Sequence, residues 1–157
     1  MGSIIEVFFN PVLAVSVIAW FIAQTLKFLI NGMVHKKFTF SRFVGDGGMP
    51  SAHSATVVAL TCTTAMHTGF SSVEFAITVI LAIIVMHDAS GVRRETGKQT
   101  AAIKSMVGVI NDYIAERDEK IKTEKLKDLV GHTNLQVVCG ALLGFLVSLG
   151  YYFIFIY

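Results

Sequence analysis

Long uncharged apolar runs alternate with short polar stretches along the chain, and the runs set the architecture. Val7 to Ile30 is almost continuous hydrophobe, broken by Asn10, Pro11, Ser16, Gln24, Thr25 and Lys27. A bilayer core needs about 20 apolar residues per helix, so this stretch predicts a first membrane span. It begins with Glu6 and ends with Lys27, the reverse of a cleaved secretory signal, and is expected to be retained. A second span is predicted over Ser51–Met66, rich in Ser, Thr and Ala, residues small enough for close helix approach inside a bundle. The third, Val73–Met86, is Ile- and Val-rich and reads as facing lipid, and the last, Leu135–Tyr157, closes on aromatic residues suited to a membrane interface. Between the third and last spans, Ile103, Met106, Val107, Ile110, Tyr113 and Ile114 recur at helical spacing among charges. They predict an amphipathic helix to about Arg117 that lies on the membrane surface or packs on a partner chain. A densely charged segment, Asp118 to Asp128, follows.

Composition agrees with the pattern. Of 157 residues 54% are hydrophobic, the mean hydropathy is +0.64, and a single all-α integral membrane domain over residues 1–157 is expected. Cys62 and Cys139 both sit inside apolar runs, so neither a disulfide nor a thiolate metal site is indicated. The net charge is only +2, yet its distribution is lopsided. Of the 13 Lys and Arg residues, the 12 beyond Lys27 all fall in the two loops that follow spans one and three, and Lys27 lies just beneath the first of them. With four spans those loops share one side of the membrane, which the positive-inside rule makes cytoplasmic, with both termini outside.

The candidate chemistry lies on that same face. In Gly47-Gly48-Met49-Pro50-Ser51-Ala52-His53 a glycine-rich turn enters a helix, with Pro50 suited to its first position. The open N–H groups of a first helical turn, together with glycines that let the backbone approach, make an anion seat in which phosphate is the obvious guest. His53, three residues after Pro50, is placed to protonate a departing group. The plainer alternative is a capped helix start whose histidine faces solvent. Lys27, near the end of the first span, either snorkels to the interface or meets an anion. His87 suits a helix C-terminus, Arg93 and Arg94 suit juxtamembrane anchors, and Asp88 suits a pairing with one of them. Gly131-His132 opens the last span on the same side. No pair of these histidines has the spacing of a helical metal site, and no metal or other cofactor is expected.

The segments Met49-Pro50-Ser51-Ala52-His53-Ser54-Ala55, Asp88-Ala89-Ser90-Gly91-Val92-Arg93-Arg94 and Gly131-His132-Thr133 resemble the divergent PAP2 proteins, relatives of the type 2 phosphatidic acid phosphatases and vanadium haloperoxidases. The resemblance implies a PAP2-like helical bundle of about four membrane helices plus a cytoplasmic amphipathic helix. Ordinary members carry P-S-G-H, here Pro50-Ser51-Ala52-His53, and S-R-x5-H-x3-D, whose histidine is the nucleophile. His132 matches that histidine, while Leu126 stands at the arginine position and Gln136 at the aspartate position. Their first motif, K-x6-R-P, is loosely echoed by Lys27 and Arg42, and ordinary members have about six membrane helices.

What the resemblance implies is hydrolysis of a lipid phosphomonoester, such as phosphatidylglycerol phosphate or phosphatidic acid, through a phosphohistidine. His132 is the nucleophile and His53 the acid. Asp88 is a candidate for supporting the imidazolium, because Gln136 can hold the tautomer but carries no charge. Lys27, Gly47, Gly48, Ser51, Arg93 and Arg94 are the phosphate-binding candidates. The implied partners are the lipid phosphate and the membrane, not nucleic acid, with a homodimer compatible with the amphipathic helix. A non-catalytic protein that binds anionic headgroups or a partner, a lipid pyrophosphate phosphatase and a vanadate-dependent oxidase are the alternative readings.

Overall fold

The computed structural model describes residues 6–7, 9–36, 48–113 and 131–157. Its described elements are all helical: α1 (Pro11–His35), α2 (Ala52–Thr68), α3 (Val73–Ser90), α4 (Val92–Tyr113) and α5 (Asn134–Phe155). Asn10 starts α1 by accepting the N–H groups of Val12 and Leu13, with Pro11 at the first helical positions where its missing donor is not needed. The helix then continues past the expected Ile30 to His35 and ends on Lys36, a lysine in the left-handed region at φ 50°. At α2 the helix begins two residues later than expected, at Ala52 and not at Pro50, because the extended backbone of Ser51 lets its hydroxyl accept the Ser54 N–H and cap the helix there.

Among the described residues, three helical stretches are long and apolar enough to cross a membrane, within Pro11–Val34, Val73–Tyr113 and Asn134–Phe155. The remaining expected span, α2, is shorter and more polar, and packing makes up the difference. It contacts α1, α3 and α5, so it occupies the middle of the bundle. Thr56, Thr61, Thr64 and Thr68 each donate to the carbonyl one turn back, which satisfies their hydroxyls without water.

Small side chains hold this bundle together. Val15 and Ala19 of α1 meet Ala59 of α2, and Ala23 meets Ala52 and Ala55. On the other flank of α2 the stripe Gly140, Gly144, Ser148 of α5 lies against Ser51, Ala55 and Ala59. A Cβ on Gly140 would collide with the Ser51 carbonyl, and one on Gly144 with the Ala55 carbonyl. Where the hydrophobic effect between helices is absent, such backbone-to-backbone approach supplies the dispersion energy of association.

The helices run alternately up and down. The C-termini of α1 and α3 and the N-termini of α2 and α5 therefore gather at one end, with Ser51 N–H donating to the Gln136 carbonyl (3.0 Å) and His132 N–H to that of Ala89 (2.8 Å). At the opposite end His67 Nε2 lies 2.9 Å from the Tyr151 hydroxyl. α4 continues from α3 across Gly91 with none of its residues buried, and has the amphipathic pattern expected of it.

A paired-histidine candidate active site

His132 precedes α5 by two residues, and the way α5 starts sets its chemistry. Thr133 caps the helix by accepting the Gln136 N–H (3.3 Å), and Gln136 Oε1 accepts the Thr133 N–H in return (3.0 Å). Since a backbone N–H can only donate, the Gln136 atom facing it is the amide oxygen. The same oxygen lies 3.2 Å from His132 Nδ1, so Nδ1 carries the proton it donates there. The Nε2 lone pair is thereby left as the basic, nucleophilic position of the ring. Among the described contacts, it is thus Gln136 that meets the imidazole.

His132 is only 4% exposed. Burial pushes its pKa below the ordinary histidine range, and the neighbouring charges of His53, Lys27 and Arg93 push the same way against the opposing bond to Gln136. A neutral imidazole at neutral pH follows. Lys27, Arg93 and His53, from three different helices, thus act electrostatically on one ring.

His53 stands in the first turn of α2, and its ring centroid lies 6.1 Å from that of His132, with the planes tilted by 60°. One bound phosphoryl group can touch both. Lys27 does not snorkel: it is 3% exposed and lies inside the bundle two turns before the end of α1. Gly48, at φ 101°, passes directly over it, since a Cβ there would come within 3.1 Å of Lys27 Cγ and Cδ and 3.4 Å of Asn31 Nδ2. The glycine turn thus covers the stem of the buried lysine, and a side chain at Gly48 would be both strained and crowded. Ser51 is fully buried, its oxygen accepting from Ser54 N and Ser54 Oγ, so it shapes the helix start from below.

The third wall is the α3–α4 junction. Arg93 Nε donates to Asp88 Oδ2 at 2.7 Å, so Asp88 holds the guanidinium as the sequence alternative foresaw. Gly131, at φ 97°, packs so tightly on Arg93 and Arg94 that a Cβ would lie 2.5 Å from the Arg93 carbonyl carbon. Arg94 and His87 are exposed at the rim. Gly47 and Leu126 lie outside the described residues, as do Arg42 and the charged segment at 118–128.

One residue escaped sequence reasoning. Gln24, one turn deeper than Lys27, is 6% exposed and its Oε1 has no hydrogen-bond partner among the described residues. Its polarity inside an apolar run was the available signal.

A buried cation, a covering glycine turn and two facing histidines at helix starts agree with the motifs of one family. The profile of the divergent PAP2 family matches residues 8–147. The chain belongs to the divergent PAP2 family. It is 39% identical over 150 residues to the Bacillus subtilis (strain 168) protein described as "Uncharacterized membrane protein YuiD", covering 92% of this chain and 95% of that one. No solved structure matches it. This divergent PAP2 protein is thus an integral membrane protein in which the rings of His53 and His132 face one another.

Proposed function

We propose that this divergent PAP2 protein is a lipid phosphate phosphatase working through a phosphohistidine, at the cytoplasmic face of the cell membrane. The carrying observation is His132, buried, neutral and locked by Gln136 into the tautomer that leaves Nε2 free beside His53. In this reading Nε2 attacks phosphorus as the bond from phosphorus to the lipid oxygen breaks, and protonated His53 gives its proton to the departing alkoxide. Water then attacks the phosphohistidine, His53 takes its proton, and phosphate leaves with both histidines restored. Lys27, Arg93 and the Gly48 turn stabilise charge on the equatorial oxygens, Arg94 adds to the field at the rim, and Ser51 holds the helix start. Asp88 acts through Arg93 as a positioning residue. Supporting the orientation, every Lys and Arg lies in the loops of one face or just beneath it.

The test is phosphate release in detergent from phosphatidic acid, phosphatidylglycerol phosphate and an activated aryl phosphate. His132→Ala is expected to abolish turnover of all three and to trap no phosphoenzyme. His53→Ala is expected to lose about 10²–10⁴-fold on the lipids, the usual worth of general acid catalysis, and far less on the aryl ester, whose leaving group needs no proton. Vanadate should inhibit and a chelator should not. Phosphoenzyme trapped in His132→Ala would refute the nucleophile assignment, and binding of lipid phosphates without turnover would favour a headgroup-binding protein instead.

A further inference from the structure

Gln24 has no part in the mechanism above, yet it is only 6% exposed within a membrane span and its Oε1 has no hydrogen-bond partner among the described residues. A buried acceptor left without a donor is costly, most of all where water is excluded, so a donor is expected from what the site binds. The place of Gln24 on α1 puts it beside the histidine site. Its neighbour Ala23 packs on Ala52 and Ala55, so Gln24 stands at the depth of the turn of α2 that carries His53. Those alanines mark the seam between α1 and α2, and α5 runs along one side of it, packed on the Val15 and Ala19 cluster of α1 and on Ser51 and Ala55 of α2. Each residue advances about 100° around a helix. Gln24 is therefore turned about a quarter circle from Ala23, away from α5, and His53 about a quarter circle from Ala52, also away from α5. The two side chains leave their helices on the same flank of the seam. Lys27 is on that flank too, one helical turn nearer the end of α1, with its stem under Gly48.

We infer that Gln24 Oε1 accepts a hydrogen bond from the substrate, from a free hydroxyl on the carbon next to the one that carries the phosphate. The inference rests on the phosphatase reading of the histidine site. In that reading His53 protonates the leaving oxygen, so the lipid side of phosphorus faces the first turn of α2 and the carbons beyond it enter the flank shared with Gln24. Gln24 lies three residues before Lys27 on α1, about 4.5 Å deeper, a span that suits the reach from a bound phosphate to the oxygen on the next carbon. Phosphatidic acid carries an acyl ester at that carbon, which offers an acceptor to an acceptor. The headgroup glycerol of phosphatidylglycerol phosphate and the glycerol of a monoacylglycerol phosphate both carry the hydroxyl. The site thus selects lipid phosphomonoesters with a neighbouring hydroxyl, because a ligand that lacks it leaves the buried oxygen unpaired.

Two substrate pairs test this on the whole protein in mixed micelles: a monoacylglycerol phosphate with its 2-O-methyl ether, which lacks only the donor, and phosphatidylglycerol phosphate with phosphatidic acid. The hydroxyl-bearing member is expected to be favoured in kcat/KM by about 10–100-fold, chiefly through KM. A preference in the first pair identifies a backbone hydroxyl as the source, and one in the second pair a headgroup hydroxyl. Gln24→Leu should bring the ratio to near one. Because it replaces an unpaired buried polar group with an apolar one, it should also raise the melting temperature of the ligand-free protein. Equal values within both wild-type pairs would overturn the inference. So would a preference for the ether or for phosphatidic acid, the result of an amide that donates there, or a Gln24→Leu protein that keeps the wild-type ratio. If no substrate releases phosphate, the rise in melting temperature that each ligand gives the wild type reads the same preference. A larger rise with the hydroxyl-bearing member would then remove the phosphatase reading and keep the Gln24 contact, whereas turnover indifferent to the hydroxyl would do the reverse.

Discussion

Gly131→Ala probes how the nucleophile is placed without touching it. Gly131 sits at φ 97°, a conformation that strains any residue with a Cβ by about 1–2 kcal/mol. Its added methyl would also lie 2.5 Å from the Arg93 carbonyl carbon and 2.6 Å from Arg94 Cα. Both are backbone atoms, so no side chain can swing aside. The Gly131–His132 turn must then retreat from the α3–α4 junction by about 1 Å to reach an ordinary contact, and a misplacement of that size can lower a rate about 100-fold. The retreat also stretches the 2.8 Å bond from His132 N–H to the Ala89 carbonyl. Expected outcomes are a drop of about two orders of magnitude in kcat for lipid phosphate hydrolysis and faster hydrogen exchange at the His132 amide. Gly69→Ala separates strain from collision, because Gly69 has φ 83° but nothing within 4 Å of its Cβ position, at the far end of the bundle. It should lose some stability and keep its rate. A folded Gly131→Ala protein with unchanged exchange at His132 and unchanged kcat would refute the close-approach reasoning.

The lowered pKa of His132 fixes the sign of two further effects. A nucleophile that stays neutral to lower pH puts the acidic limb of kcat/KM below the ordinary histidine value of about 6.5. Gln136→Glu keeps an acceptor for both N–H groups but adds negative charge, so the limb should move up in pH, and a limb that stays put would detach Gln136 from the imidazole. For stability, the unfolded chain takes up a proton at His132 before the folded one does. That contribution is therefore complete above about 6.5 and lost as pH falls below it, which a melting series comparing wild type with His132→Gln would detect. Asp88→Asn releases Arg93 from its 2.7 Å partner and should raise KM more than it lowers kcat, whereas a fall in kcat alone would make Asp88 part of the chemistry. Gly144→Leu forces α5 off the Ala55 carbonyl. Overpacking of about 1–3 kcal/mol should lower the melting temperature in detergent by roughly 2–12 °C, with Gly150→Leu, whose Cβ position is open, as the control.

Membrane helices are legible in sequence because a bilayer imposes length and apolarity one segment at a time. The runs around α1, α3 and α5 therefore announced themselves, as did the Ser-, Thr- and Ala-rich character that put α2 inside the bundle. The Lys and Arg asymmetry and the alternation of spans were enough to bring His53, Asp88, Arg93 and His132 to one end, and the motifs carried the family. Other features depended on three dimensions. Whether Lys27 snorkels or stays inside is decided by Gly48 crossing over it, a contact between residues that no local pattern links. Which helix start Ser51 caps, and which nitrogen of His132 is free, follow from single hydrogen bonds whose geometry a motif does not contain. That Asp88 faces Arg93 while Gln136 faces the imidazole could not be chosen from residue types, since a carboxylate suits either place electrostatically. The apolar cavity beside Thr61, among α2, α3 and α5, is equally a tertiary fact. Apolar residues line its walls as they line any membrane core, and no local pattern says which of them leave space between their helices.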